Sequence, residues 1–205
     1  MKESLYGVGG VECRVIYEAG TRGPGVLFLH GYSFTGATWR EVGVLDVAEE
    51  LLLPYAAPDM PYGKRTECTK HSRSIDLNVT AARRVVERFL GGNAPLIVGA
   101  SLGGRVALYY AARYPVSGLL LASPAISYDD DFWGPLRRPG YPVVILRGER
   151  DFVPRKVLRD LAERLGGEYR EYKGAGHAMY LDRPEDFIED FKQIVRMISS
   201  EKTVD

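Results

Sequence analysis

The sequence predicts an α/β fold in which helices cover both faces of a mostly parallel sheet. Short, continuous apolar runs such as 26–29 and 96–98 are typical of strands buried on both faces. Segments with helical periodicity, such as 75–90, lie between these runs. The 205 residues are enough for one domain with a sizeable core, and no linker or internal repeat divides them. We therefore expect a single domain over residues 1–205.

The elements of the first half follow one another as strand, strand, helix and strand. The first of these alternates apolar and polar residues and is expected at the edge of the sheet. Pro58 and Asp59 stop the last one, and a polar loop follows through residue 70. The predicted bounds are 11–17, 26–29, 38–52 and 55–57.

The second half alternates helices and strands regularly, which is the pattern that predicts a parallel sheet covered on both faces. Gly91-Gly92 and Gly166-Gly167 end two of the helices. The predicted helices are 75–90, 102–114, 154–165 and 184–198. The predicted strands are 96–98, 118–121, 143–146 and 168–172.

Composition excludes several classes of function. Lys plus Arg and Asp plus Glu both number 27, so no net charge favours binding to nucleic acid. No apolar run approaches the ~20 residues that span a bilayer, and the first residues do not resemble a signal peptide. We therefore expect a cytoplasmic protein with neither nucleic-acid nor membrane partners. The sequence does not predict its oligomeric state.

The two cysteines and the few amide side chains add two expectations. Cys13 falls in a predicted strand and Cys68 in a charged loop, so neither a disulfide framework nor a zinc site is expected. Only three residues carry a side-chain amide, and Arg far outnumbers Lys. Few thermolabile amides and many charges indicate a thermophilic origin, although a GC-rich genome would also explain the Arg excess.

The most specific motif is Gly99-Ala100-Ser101-Leu102-Gly103, which matches G-x-S-x-G between a buried strand and a helix. In that context the motif forms a sharp strand-to-helix turn with the serine at its apex. Glycines remove side chains that would collide across the turn. The helix that follows presents backbone N–H groups to developing negative charge. Ser101 is therefore the candidate nucleophile.

A serine needs a base to remove its proton, and the chain offers three histidines. His71 lies in a polar stretch that no strand positions. His30 ends a different strand, where bracing the following loop is its expected role. His177 follows the last strand in Gly174-Ala175-Gly176-His177, and this short loop can return it to the edge of the sheet. His177 is the candidate base.

The base needs an acid that fixes its tautomer, and in this fold the acid lies between the serine and the histidine in the sequence. Asp151 follows the strand 143–146, directly before a helix, and is the preferred candidate. Glu149 lies within the same turn. The run 129–131 consists of three aspartates after the preceding strand, a position that some hydrolases use for the acid.

Two backbone N–H groups are expected to form the oxyanion hole. One belongs to Leu102, the residue after the nucleophile. The other comes from the loop after strand 26–29, and Tyr32, which follows His30-Gly31, is the expected donor.

Five motifs occur in one order along the chain: His30-Gly31, Asp59-Met60-Pro61-Tyr62-Gly63, the serine turn, Gly148-Glu149-Arg150-Asp151 and Gly174-Ala175-Gly176-His177. In their content and order the chain resembles the α/β-hydrolase superfamily over nearly its whole length.

Two longer stretches carry a narrower resemblance. They are Leu29-His30-Gly31 with Phe34 and Thr38-Trp39, and Lys173-Gly174-Ala175-Gly176-His177 with Tyr180-Leu181-Asp182 and Pro184-Glu185. In these the chain is similar to the small α/β-hydrolase domain-containing protein 14 group. That resemblance implies a compact fold with little or no cap, and activity on short-acyl esters or in acyl transfer.

The segment 122–142 is short and polar where larger relatives insert a cap, so we expect an open site. Four aromatic residues near the predicted mouth are candidates for a small acyl pocket and equally for core or rim positions: Phe34, Tyr128, Phe132 and Trp133.

These residues predict a carboxylesterase that acts on small esters with no metal and no organic cofactor. An acyltransferase, a thioesterase or a cofactor-free perhydrolase would use the same three residues. A binding protein that keeps the fold without catalysis is the alternative from a different class.

Overall fold

A computed structural model describes residues 1–201, so residues 202–205 of the expected domain lie outside the described residues. Eight strands, β1 to β8 in chain order, form one sheet. Their bounds are Lys2–Val8, Val11–Glu18, Val26–Leu29, Tyr55–Pro58, Leu96–Ala100, Gly118–Ala122, Val143–Gly148 and Glu168–Tyr172. Seven helices, α1 to α7, accompany them at Thr38–Glu41, Val44–Glu50, Ile75–Phe89, Leu102–Ala111, Arg155–Leu165, Met179–Asp182 and Pro184–Glu201.

The strands lie in the spatial order β1-β2-β4-β3-β5-β6-β7-β8, and all neighbours are parallel except those of β2. All residues of β3, β4, β5, β6 and β7 are buried, which explains their continuous apolar runs. The fold class expected from the sequence is therefore confirmed. The expectation that β2 lies at the edge is wrong, because β1 pairs along its whole outer side.

Each face of the sheet carries its own apolar core. On one face α3, α4 and α5 contribute residues such as Val79, Leu108 and Leu158. On the other face α1, α2 and α7 pack Trp39, Leu45 and Phe191 onto the strands. The helix predicted over 38–52 is two helices, because Gly43 adopts a left-handed conformation with φ of 83° between them.

The connection between β6 and β7 contains only one short 3-10 turn, Asp131–Trp133. A helical cap is absent from this connection, so the carboxyl edge of the sheet stays open there. No helix among residues 1–201 is both long and apolar enough to cross a membrane.

Cys13 and Cys68 form a disulfide, which contradicts the expectation that these two cysteines do not form a disulfide framework. The loop after β4 folds back along β2, where Arg14 N–H donates to the Glu67 carbonyl and Thr69 N–H donates to the Glu12 carbonyl. This pairing brings the two cysteine Cα atoms within 4.1 Å of each other. The partners are 55 residues apart in sequence, so no local pattern reveals that they meet.

The disulfide is expected to stabilise the fold by restricting the unfolded chain. We predict that the Cys13→Ala/Cys68→Ala variant loses roughly 2–4 kcal/mol of unfolding free energy, as is typical of a bridge that closes a long loop. Denaturant unfolding with and without dithiothreitol measures this. Reductant should destabilise the wild type and leave the double variant unchanged, whereas an equal response of both proteins would contradict the prediction.

Candidate active site

Ser101 lies at the apex of the turn between β5 and α4, with φ of 50° and ψ of −114°. A residue other than glycine rarely adopts such a conformation, and strain of this kind concentrates at functional sites. Its N–H donates to the Ala122 carbonyl, and its own carbonyl accepts from the Arg105 and Ala125 N–H groups. These hydrogen bonds hold the turn at the carboxyl edge of the sheet.

The glycines of the motif make this turn sterically possible. A Cβ on Gly99 would lie 2.9 Å from the Gly103 carbonyl oxygen, and a Cβ on Gly103 would lie 2.2 Å from the Leu29 carbonyl oxygen. A Cβ on Gly104 would lie 2.8 Å from the Pro124 Cβ atom. All three distances are shorter than normal contacts, so the start of α4 packs against its neighbours only because these side chains are absent.

Ser101, His177 and Asp151 form a continuous hydrogen-bonded chain. The Ser101 Oγ atom lies 2.9 Å from His177 Nε2. The His177 Nδ1 atom lies 2.8 Å from Asp151 Oδ1, on the opposite side of the ring. A neutral imidazole that donates from Nδ1 to the carboxylate presents Nε2 as an acceptor for the serine proton. The structure thus brings the three predicted catalytic side chains together.

The loop that carries Asp151 is held by a buried arginine that the sequence analysis did not single out. Arg147 donates to the carbonyl oxygens of Gly148, Asp151 and Val153 at 2.8, 2.6 and 3.0 Å. Its charge is paired with Glu171 at 3.2 Å. The guanidinium has enough donors to fix several carbonyls at once, so it sets the shape of this turn.

Asp151 is kept ionised by its hydrogen bonds. Burial opposes the charge, but the hydrogen bonds that Asp151 Oδ1 makes with His177 and with the Val153 N–H outweigh this effect and hold the pKa below its ordinary value. Ser123, the residue directly after β6, has a φ of 43° and is a second strained residue beside the site. An ionised Asp151 can stabilise a positively charged His177.

The other acidic candidates have different partners. The Glu149 carboxylate accepts a hydrogen bond from the Gly174 N–H at 2.7 Å and so joins the turn to the loop of His177. Asp130 is buried and pairs with Arg105 at 2.6 Å, while Asp129 and Asp131 are exposed. None of these carboxylates contacts His177.

The two expected oxyanion donors lie at the ends of β3 and β5. Within residues 1–201, neither the Leu102 N–H nor the Tyr32 N–H donates a hydrogen bond. Leu102 begins α4, whose first N–H groups have no partner inside the helix. The loop of Tyr32 lies against the nucleophile, since a Cβ on Gly31 would lie 3.5 Å from the Ser101 Cβ atom.

His30 fixes the orientation of the Tyr32 N–H. Its Nδ1 atom lies 2.8 Å from the Gly31 carbonyl oxygen, which also accepts from the Phe34 N–H. Its Nε2 atom accepts from the Met60 N–H at 2.9 Å. A planar trans peptide directs its N–H opposite to its carbonyl, so pinning the Gly31 carbonyl also aims the Tyr32 N–H. His30 therefore has the bracing role expected from the sequence.

Asp59 holds the loop after β3 together with the loop after β4. Its two carboxylate oxygens accept from the Gly36 and Glu67 N–H groups, each at 2.8 Å, and Arg14 lies 3.4 Å away. The Tyr62 hydroxyl donates to the His30 carbonyl at 2.6 Å. The motif from Asp59 to Gly63 thus anchors the loop after β3.

An open cavity of about 580 Å³ adjoins Ser101. Its wall comes from the loops after β3 and β4, from the segment before α3, and from the starts of α3 and α4. It includes Tyr32, Tyr62, Arg73, Asn78, Leu102 and Arg105. Apolar atoms of Ile75, Val106 and Ala125 complete it.

None of the four predicted pocket aromatics lines this cavity. Phe132 is buried in the core beneath the β6–β7 connection, because its ring packs against Tyr109 at a centroid distance of 5.4 Å. Tyr128 and Trp133 stack on each other at the surface, and the Tyr128 hydroxyl contacts Asp160. Phe34 packs edge-on against Tyr180 behind the Gly31 loop. These four residues therefore occupy core or surface positions outside the lining of this cavity, and an acyl pocket formed by them stays a prediction.

Phe152 contacts the site from a direction that the sequence did not indicate. Its ring lies over the His177 imidazole with centroids 4.2 Å apart, and 76% of the residue is exposed. An exposed aromatic directly after the acid covers one side of the base and offers an apolar surface to a bound molecule.

The model of the alpha/beta hydrolase family matches residues 26–143, which is more than half of the chain. The chain belongs to the alpha/beta hydrolase family. The solved structures that resemble it agree in fold. A CIB-like hydrolase from Thermoplasma acidophilum superposes with a TM-score of 0.82 at 21% identity, covering 95% of this chain and 97% of that one. An esterase from Exiguobacterium antarcticum gives 0.78 at 17% identity, covering 94% and 99%.

Relatives also confirm the narrower resemblance. Human ABHD14A is 28% identical over 168 residues, which cover 79% of this chain and 60% of the relative. Human ABHD14B is 26% identical over 165 residues, covering 79% and 78%, and its name provisionally describes a protein-lysine deacylase. The chain therefore spans less than two thirds of the length of human ABHD14A.

The burial of His30 predicts an acid-sensitive fold. Burial lowers the pKa of His30 to about 4, although the Gly31 carbonyl and the Asp59 charge oppose this shift. The unfolded chain binds a proton there below the ordinary value of 6.5, whereas the folded chain does so only below about 4. The contribution of neutral His30 to the free energy of unfolding is therefore fully present above pH 6.5. It decreases between pH 6.5 and pH 4, by up to about 1.4 kcal/mol per pH unit.

Denaturant unfolding between pH 7 and pH 4 measures this contribution. His30→Gln should be less stable at pH 7 and should show a flatter pH dependence than the wild type. His71→Gln, which changes an exposed histidine, should follow the wild type. A His30→Gln profile as steep as that of the wild type would refute the assignment.

Proposed function

We propose that the protein is a serine carboxylesterase that hydrolyses small, short-acyl esters through an acyl-enzyme on Ser101. The observation that carries the proposal is the hydrogen-bonded chain from Ser101 through His177 to Asp151, beside an open cavity. A serine hydroxyl is a weak nucleophile, and this arrangement supplies the base and the acid that activate it.

In the first half of the reaction, Ser101 Oγ attacks the ester carbonyl while His177 Nε2 takes its proton. Negative charge develops on the carbonyl oxygen and is stabilised by the N–H groups of Tyr32 and Leu102. Each such donor is typically worth several kcal/mol in the transition state. The imidazolium, stabilised by Asp151, then gives its proton to the departing alcohol and leaves an acyl group on Ser101.

In the second half, His177 removes a proton from water, and the hydroxide attacks the acyl carbonyl. The same two N–H groups stabilise the second oxyanion. His177 returns the proton to Ser101 as the carboxylic acid leaves. These steps use neither a metal nor an organic cofactor.

The preference for short acyl groups is supported by the uncapped β6–β7 connection. A cap would remove a long acyl chain from water, which is worth about 0.8 kcal/mol for each methylene that is fully buried. Without that cover, additional methylenes stay largely in solvent and contribute little to binding.

A second candidate is transfer or removal of acyl groups from amines, and it is favoured by the similarity to ABHD14B over 79% of the chain. An acyl-lysine is an amide, whose cleavage would pass through the same acyl-enzyme with an amine as the leaving group. Comparing the release of acetate from an acetyl-lysine peptide with the hydrolysis of ethyl acetate distinguishes the amide-cleaving candidate from the esterase.

We predict that Ser101→Ala lowers kcat/KM for p-nitrophenyl acetate by at least about 10³-fold, because the nucleophile is lost. Asp151→Asn should lower it by roughly 10²–10⁴-fold, because the amide cannot hold His177 in the reactive tautomer. Turnover of p-nitrophenyl acetate, butyrate and octanoate by wild type and variants measures both effects, and octanoate should be the poorest substrate.

Ser33→Ala is the matched control, because it removes an exposed hydroxyl from the loop after β3 and should keep full activity. Full activity of a folded Ser101→Ala variant would refute the mechanism. A preference for octanoate would refute the short-acyl specificity.

A further inference from the structure

Two arginines lie beside the nucleophile in the cavity. Arg105 is one helical turn beyond Ser101 on α4, and Arg73 projects from the segment before α3. No acidic residue in the described part of the chain lines this cavity. A site lined by cations without anions attracts negatively charged groups.

The two arginines differ in how their charge is balanced. Arg105 pairs with the buried carboxylate of Asp130 at 2.6 Å. Arg73 has no carboxylate within 4 Å among residues 1–201; its guanidinium donates to the Tyr32 hydroxyl at 3.0 Å and lies 5.1 Å from the centre of that ring. Arg73 therefore keeps an uncompensated positive charge at the mouth of the cavity.

The backbone on both sides of Arg73 is fixed. The amide nitrogen of the buried Asn78 donates to the Ser72 carbonyl at 2.9 Å and to the Ser74 carbonyl at 2.7 Å. The Ser72 N–H donates to the Pro61 carbonyl at 2.8 Å. A cation whose position is fixed in advance loses less conformational entropy when it binds an anion than a free surface arginine does.

A second cavity, of about 380 Å³, continues from the first and shares Tyr32, Tyr62 and Arg73 with it. Lys64 and His71 lie along its wall, and it also has no acidic lining residue among those described. Lys64 has no carboxylate partner in residues 1–201. The positive field around Arg73 thus extends along one side of the site.

We propose that the preferred substrates are esters that carry a carboxylate, which Arg73 binds while Ser101 attacks the ester carbonyl. This inference rests on the proposed esterase function and names its substrate class. The planar guanidinium matches a carboxylate, and a charge-assisted hydrogen bond of this kind is roughly twice as strong as a neutral one. Free donors of Arg73 make this bond, while its contact with Tyr32 holds the group in place.

The test compares each anionic ester with its neutral primary amide. On the acyl side the pair is monoethyl glutarate and the corresponding ethyl ester amide. On the alcohol side the pair is 4-acetoxybenzoate and 4-acetoxybenzamide. We expect the wild type to prefer the carboxylate by about tenfold in kcat/KM in at least one pair, and the pair that shows it identifies which side of the ester faces Arg73.

Arg73→Gln should abolish this preference, so that within the variant kcat/KM for each carboxylate ester falls to the value for its neutral partner. Arg65→Gln is the matched control, because it removes the same charge from an exposed position of the same loop that lines neither cavity. It should keep the preference. Added salt should reduce the preference in wild type and Arg65→Gln, since the pair is open to solvent.

Equal turnover of the charged and neutral esters in both pairs by an active wild type would overturn this inference alone. An equal loss of the preference in Arg65→Gln and Arg73→Gln would also overturn it. The preference would then arise from the general positive charge around the site and not from a direct contact between Arg73 and the carboxylate. Absence of Ser101-dependent turnover with any of the four esters would overturn the proposed function itself, and the inference with it.

Discussion

The contact between the start of α4 and the end of β3 is the constraint on which the rest of the site depends. At Gly103 the two backbones are so close that a Cβ would lie 2.2 Å from the Leu29 carbonyl oxygen. This approach places Ser101 and the Leu102 N–H next to the loop that carries the Tyr32 N–H. The proposed nucleophile and the proposed oxyanion donors are thus positioned by backbone packing, which is rigid, rather than by flexible side chains.

The remaining parts of the machinery are arranged around that contact by buried polar groups. His30 and Asp59 hold the loop after β3, and Arg147 holds the loop of Asp151. Each of these residues is buried and forms hydrogen bonds with backbone groups of the loop that it holds. Burial of polar groups is costly unless they are paired, so such networks favour one loop conformation over its alternatives. The three residues proposed to be catalytic are at the ends of β5, β7 and β8, whereas Arg73, which is proposed to bind the substrate, lies in the segment before α3.

The fold and the three side chains that meet at Ser101 could be predicted from the sequence because their signals are local. The buried strands are continuous apolar runs, and the turn at Ser101 requires glycines at fixed spacings. The chain order of serine, acid and histidine follows from the fold. Five acidic residues are candidates for the partner of His177, and Asp151 is preferred because it lies between a strand and a helix.

The features that the sequence did not reveal depend on contacts between distant segments. The Cys13–Cys68 bridge needs the loop after β4 to return to β2, and nothing near either cysteine encodes that return. Phe132 is apolar enough for a pocket or for the core, and only the path of the β6–β7 connection decides between them. Arg73 looks like one more surface charge until Asn78 and Tyr32 are seen to hold it beside the cavity.

Covalent labelling with a fluorophosphonate tests most directly the proposal that Ser101 is an activated nucleophile. Intact-mass and peptide-mapping mass spectrometry of the folded protein should show one adduct, located on Ser101. The adduct should be absent in Ser101→Ala and should form far more slowly in His177→Ala. A folded wild type that gains no adduct, or one that is labelled at another residue, would contradict the account.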